Sequence, residues 1–361
     1  MAERTGDERV LARAMSYLGL VNQIDGELRD GDRKLARSLE ISERLGLPQM
    51  VAQNLVWLGA HANWRAEFDA AMPFLRRAEE VAASVHDGFN ELFAVAFICL
   101  PQVALGEFAE ARATIERGLR RARELQNGFI EGRLLNTLGW FHQELGDFRR
   151  ALELDREAAD IGRRIKNPNV EVSSLINIGL DHLNLGEVDR AIALWEETQV
   201  RVDKHAFGAH RWRWSNHLAT YLAEGLLARG DLGRAGAQAD LAVMQARATG
   251  ARKYEARALA IRGDIALRAR DWPAAHGDLV AALAIARAIP YPALVWQVAR
   301  LLAQAAAGAD RMDEARAAAA DARTAIEHLA ARAPEPALRQ TFLAWARVQA
   351  TLEEAERLRS A

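Results

Sequence analysis

The feature that most constrains this chain is a fixed self-similarity. The segment Gly146–Asp147–Phe148 has counterparts at regular distances in both directions. With Gly146 as origin, steps of 40 residues reach Gly26, Ala66, Gly106 and Gly186; a single step of 44 reaches Gly230, and steps of 40 continue to Arg270 and Asp310. Other columns keep the same register. Two residues after each anchor stand Leu28, Phe68, Phe108, Phe148, Val188, Leu232, Trp272 and Met312, all apolar. Seven residues before stand Gly19, Gly59, Cys99, Gly139, Gly179, Ala223, Gly263 and Ala303; five after stand Gly31 and then alanine in every unit. Eight before, the column is Leu or Ile except for Arg262. A period of this length marks a repeat array.

The columns have a packing logic. Two antiparallel helices approach closely only where their facing side chains are small, and the large residue after the turn fills the wedge between them. One such pair cannot bury its apolar face alone, so neighbouring pairs must stack. The small residue in the first helix, the Gly-Asp-aromatic turn and the alanine in the second resemble the tetratricopeptide repeat over about residues 9–330. The period exceeds the usual ~34 residues. From Arg133 to Gln199, and on through KHAFGAHRWRW, the chain resembles the C-terminal repeat region of bacterial adenylate/guanylate cyclase–ATPase signalling proteins. It also resembles the tails of the maltose-activator type of STAND regulator. The fold expected is all-α: a right-handed solenoid superhelix of about eight helix pairs. Residues 1–8 are expected to fray, 9–333 to form the array, and 334–361, with Leu338, Phe342, Leu343, Trp345, Val348 and Leu352, to form one amphipathic capping helix.

Composition mainly excludes. A net charge of −2 gives no bulk attraction to nucleic acid or to an anionic membrane, so neither is expected as a partner. The single cysteine, Cys99, cannot form an internal disulfide and falls in a small-residue column, where it reads as packing. The charged start MAERTGDERV is not a signal peptide and no apolar run reaches ~18 residues, so a cytoplasmic location is expected. No phosphate loop, nucleophile elbow, His-Glu-x-x-His or Cys-x-x-Cys is present. No enzyme activity, cofactor or metal is therefore expected. His205, His210 and His217, with Trp212 and Trp214, cluster where the register gains four residues. They read as a lengthened helix whose tryptophans fill the extra space.

The informative face belongs to the first helix of each pair, expected to line the concave side. Offsets of 13, 10, 6 and 3 residues before each anchor share one helical face. In the fourth unit they select Arg133, Asn136, Trp140 and Gln143; in neighbouring units Phe93, Leu100, Leu180, His217, Glu224, Arg257, Asp264 and Arg300. An apolar floor with Arg, Asn, Gln and Trp suits a peptide, with Leu100, Trp140 and Leu180 as anchor points and a carboxylate or main-chain groups meeting Arg133 and Asn136. The function expected is a non-enzymatic scaffold that holds a protein or peptide segment in its groove. The resemblance implies service as a sensor or docking module of a bacterial signalling system. The alternative is a sensor for a small-molecule effector, and a pocket enclosed on several sides would favour it.

Overall fold

The structure, a computed structural model, describes residues 7–204 and 210–360; among these it holds 18 helices and no strand. The pairs are α1 (Glu8–Asp25) with α2 (Leu28–Arg44), α3 (Pro48–Trp64) with α4 (Phe68–Ser84), α5 (Gly88–Ala104) with α6 (Phe108–Glu124) and α7 (Gly128–Glu144) with α8 (Phe148–Arg164). They continue as α9 (Pro168–Asn184) with α10 (Val188–Lys204), α11 (Arg211–Arg229) with α12 (Leu232–Thr249), α13 (Arg252–Arg268) with α14 (Trp272–Ala288) and α15 (Pro292–Gly308) with α16 (Met312–Arg332). Each helix packs on the next in sequence and each first helix on the first helix of the neighbouring pair. This is an all-α solenoid of 40-residue units.

The period follows from helix length. In the regular units both helices have 17 residues, joined by three-residue connections. Each helix is thus about three residues longer than half of a ~34-residue repeat would allow. The anchor column is the left-handed residue that ends the first helix. Its φ lies between +58° and +87° at Gly26, Ala66, Gly106, Gly146, Gly186, Gly230, Arg270 and Asp310. At Gly146 the turn is a Schellman closure: Asp147 N donates to His142 O (2.9 Å) and Gly146 N to Gln143 O (3.1 Å). Asp147 then caps the next helix by accepting from Arg150 N. The motif Gly-Asp-Phe is therefore helix stop, helix cap and first helical residue in succession.

The small columns are the close approaches. A Cβ on Gly59 would stand 2.5 Å from Leu75 Cγ, one on Gly263 2.6 Å from Leu279 Cγ, and one on Gly139 2.7 Å from Asp155 Cγ. Cys99, in the same column, is fully buried, and burial pushes its thiol up to about 12. Arg262, the misfit of the apolar column, makes a two-pronged pair with Asp278 (2.6 and 2.5 Å) and reaches Asp240 at 3.1 Å. A polar clasp across the partly exposed edge replaces the usual leucine.

The array coils until its turns touch. Trp212, at the start of α11, donates Nε1 to Gln23 O at the end of α1 (2.8 Å), and its ring lies 3.3 Å from the position a Cβ on Gly26 would occupy. Gly106 lies against Leu329, Arg112 pairs with Glu335, and Phe148 meets Trp345 edge-on at 5.1 Å. A turn in one unit thus rests on a helix about 190 to 225 residues later. The C-terminal stretch, expected as one helix, is two, α17 (Pro336–Ala344) and α18 (Ala346–Ser360). They break at Trp345, whose extended backbone (ψ 119°) turns the ring toward Phe148 and Trp296. At the other end, Val10, Tyr17, Leu18, Val21 and Ile24 of α1 are 39–54% exposed, whereas Leu18's counterparts Leu58, Ile98, Ile178, Leu222 and Leu302 are 4–7% exposed.

Candidate functional site: a divided lumen

The first helices face inward and line a half-open lumen. Contacts across it divide the space. Tyr291 donates its hydroxyl to Glu144, which also accepts Trp140 Nε1 at 2.6 Å. The Lys253 ammonium sits 4.3 Å from the centroid of the Trp140 ring and 5.3 Å from that of Tyr291. Residues of α7, α13 and the start of α15 thereby form a partition.

On one side lies a cavity of about 130 Å³ lined by Asn63, Trp64, Leu100, Asn136, Trp140, Trp212, Arg213, His217 and Lys253, among others. On the other lies one of about 160 Å³ lined by Glu224, Arg257, Asp264, Gln297, Arg300 and Arg347 among others. Between them is a third, of about 40 Å³, bounded by Trp140, Gln143, Leu180, Tyr221, Arg257, Gln297 and Arg347 among others. The small one shares Trp140 and Tyr221 with the first, and Arg257, Gln297 and Arg347 with the second. The three form a row.

Of the residues chosen from the sequence, Leu100, Asn136, Trp140 and His217 come together in the first cavity, Gln143 and Leu180 in the middle one, and Glu224, Asp264 and Arg300 in the last, with Arg257 shared. Phe93 stands apart: it is 7% exposed inside a ring cluster with Phe89, Phe97 and Phe129. Arg133 lies over two of those rings, 4.8 Å from the centroid of Phe97 and 5.7 Å from that of Phe129. Two amides are already engaged. Asn136 Nδ2 donates to Asp155 Oδ1 (2.6 Å) and Gln143 Nε2 to Asp181 Oδ1 (2.7 Å). Asp155 is fully buried, and burial together with the nearby Asp181 carboxyl drives its pKa well above the usual range; burial raises Asp181 likewise. Glu224, by contrast, is held below the ordinary value despite burial, because Arg257 pairs with it at 2.9 Å.

The sequence reading missed Arg213, Lys253, Trp64 and the Asn63–Asn177–Asn216 set in the first cavity. Arg213 and Lys253 both stand 17 residues before their anchors. Extending the chosen face by one helical turn would have included them. In the histidine cluster, His210 lies edge-on to Trp64 (5.7 Å) and His217 against Tyr254 (4.3 Å), each on a different ring; His205 lies outside the described residues.

A helical-repeat array coiled around an inner lumen defines the class, and its fold is that of the tetratricopeptide-type repeat proteins. No family profile and no curated protein sequence matches the chain. Solved structures do. The chain is similar to a Rap protein complexed with Competence and Sporulation Factor: TM-score 0.63, 13% identity, over 76% of this chain and 74% of that one. It is similar to NprR in complex with its cognate peptide NprX: TM-score 0.58, 10% identity, over 96% and 97%. It is also similar to a STAND (signal transduction ATPase with numerous domains) protein with a tetratricopeptide repeat sensor from Pyrococcus horikoshii: TM-score 0.51, 14% identity, over 94% of this chain but only 50% of that one. At these identities the likeness is one of fold. Among the described residues no helix is long and apolar enough to cross a membrane.

Proposed function

We propose that this chain is a non-enzymatic sensor that takes a short peptide segment into its lumen and serves as a sensor or docking module of a bacterial signalling or regulatory system. The observation that carries this reading is the row of three cavities sharing walls. An extended peptide needs a succession of side-chain-sized spaces along one axis, with polar groups for its main chain. The lumen offers that succession, with Leu100, Trp140 and Leu180 as apolar surface and Arg257, Gln297 and Arg347 as polar surface. NprR, a fold neighbour solved with its cognate peptide, is consistent with it, as is the STAND protein with a tetratricopeptide repeat sensor. The partition through Glu144, Lys253 and Tyr291 must part for a peptide to pass all three spaces.

A second reading rests on the same cavities. The two larger ones, of about 130 and 160 Å³, are close to the ~150 Å³ of an engineered cavity that holds benzene, so either suits a small effector as it stands. One experiment separates them. The chain is incubated with a random hexapeptide mixture or with a small-metabolite extract, passed through a sizing column, and the retained fraction is identified by mass spectrometry. A Leu100→Trp variant, which fills the first cavity, runs alongside. Peptides kept by the parent chain and lost by the variant support the peptide reading. Retention of metabolites alone moves the function to the second reading, and retention of neither by a folded chain refutes both.

A further inference from the structure

The first cavity is asymmetric in charge. Among the described residues it is lined by two cations, Arg213 and Lys253, and by no carboxylate. Arg213 has its guanidinium 4.9 Å over the Trp64 ring and reaches His210 Nδ1 at 3.4 Å. Lys253 is held by the faces of Trp140, Tyr254 and Tyr291. Ring faces attract cations but leave them no counter-charge. Behind them Arg133 presents a third guanidinium whose buried Nε has no hydrogen-bond partner among the described residues. Its other contacts are ring faces as well.

These cations press on one another. Burial, then Arg213, lowers Arg133 to about 10; burial lowers Arg213 to about 10; and burial lowers Lys253 to about 8, against the pull of Glu144. His210 and His217 are driven well below the ordinary imidazole range by burial first and by Arg213 next. Other ion pairs of the chain show the contrasting arrangement: Arg65 has Asp32 and Glu67, Arg257 has Glu224, and Arg262 has Asp278. Among the described residues Arg213 and Arg133 have no carboxylate partner, and Lys253 has only the through-space pull of Glu144. Buried positive charge so weakly compensated costs free energy, which an anion in the space between them would offset.

We infer that the cavity between Arg213 and Lys253 is a carboxylate site, with the planar guanidinium of Arg213 meeting the carboxylate in two-pronged fashion and the Lys253 ammonium supplying a point charge. Of the remaining wall, Trp64, Leu100 and Trp140 are apolar surface that suits an aliphatic or aromatic group beside that carboxylate, and Asn63, Asn177 and Asn216 add amides that can meet main-chain groups. Such a carboxylate is either the C-terminus of a peptide or part of a free organic acid. The first source rests on the peptide reading above; the site itself stands on either.

The test uses the tryptophans of the cavity, Trp64, Trp140 and Trp212, as a fluorescence probe. Three ligand sets are titrated at neutral pH: N-acetylated tetrapeptides with free C-termini, the same peptides amidated, and free carboxylic acids of the leucine and phenylalanine skeleton. Hydrogen bonds to charged groups predict that amidation weakens binding roughly tenfold to a hundredfold. Arg213→Gln should remove that difference, Lys253→Met should reduce it, and Lys253→Arg should restore most of it. Circular dichroism confirms that each variant folds, and Lys253→Met carries the test if Arg213→Gln does not. Equal binding of free and amidated peptides overturns the carboxylate site and leaves the peptide reading standing. Binding of free acids without peptides supports the site and overturns the peptide reading. No response to any set by the folded parent chain overturns both.

Discussion

The small column of the repeat makes a prediction in which one substitution type takes opposite signs. Gly179, in α9, is buried, and a Cβ there would stand 2.5 Å from Cε2 and 2.8 Å from Cδ1 of Trp195, and nearer still to its Nε1. Trp195 has no room to retreat. It is fully buried, stacks on Tyr221 at 5.8 Å, and donates Nε1 to Ile176 O at 2.9 Å. Gly179→Ala gains ~1 kcal/mol of helix propensity. Against this stand overpacking, ~1–3 kcal/mol, and the strained indole hydrogen bond, ~1 kcal/mol. The net expectation is a loss of about 1–3 kcal/mol. Gly277, in α14, is the control: it is exposed and no atom lies within 4 Å of its would-be Cβ. Gly277→Ala should therefore gain ~1 kcal/mol. Urea unfolding followed by circular dichroism measures both. Amide exchange over residues 168–204 tests whether the loss is local, as nearest-neighbour coupling in a solenoid requires. If Gly179→Ala is as stable as the parent, the close approach of α9 and α10 is not what selects glycine in this column, and the packing account of the repeat fails with it.

Three further outcomes follow from single residues. Asp155 and Asp181 hold protons in the folded chain that the unfolded chain releases, so stability falls as pH rises from the ordinary carboxylate range toward neutrality. Asp155→Asn should flatten that slope in thermal melts taken from about pH 4 to about pH 7. Lys253 has the opposite sense: its pKa of about 8 lies below its unfolded value. The unliganded chain should gain stability as pH rises from about 8 through about 10.4, while carboxylate affinity declines over the same interval. Trp212→Ala removes the bond to Gln23 O and should speed amide exchange in α1 and α2 with α7 to α9 unchanged. Its cost should fall below the ~3–5 kcal/mol of a fully buried tryptophan, because the ring is only partly buried.

Why the array was legible and the lumen only partly so has one physical answer. Periodic columns record contacts between residues close in sequence: Gly139 with Asp155, Asp147 with Arg150. The close approach recurs as Gly19 with Leu35, Gly59 with Leu75, Gly179 with Trp195 and Gly263 with Leu279, and the cap recurs at Asp231 and Asp271, so the period, the turns and the helix pairs can be read by superposing the units. The walls of the lumen can also be read, since a helical face is a local property; this is how Leu100, Asn136, Trp140 and His217 were chosen together. The meeting of opposite walls recurs nowhere. Tyr291 reaches Glu144 across 147 residues and Trp212 reaches Gln23 across 189. Whether they meet depends on small rotations between units summed over about four to five repeats, which no column encodes. The same cause explains the missed cations. Arg213 and Lys253 occupy a column that holds Phe89 and Phe129 in earlier units, so superposition reports no shared character there. Only when the array closes do Arg213 and Lys253, from two late units, converge with Trp64 and Trp140 from two early ones. A repeat protein can thus keep its scaffold in the periodic positions and place its recognition chemistry in the departures from them. Two such departures here, the cations Arg213 and Lys253, carry the proposed carboxylate site.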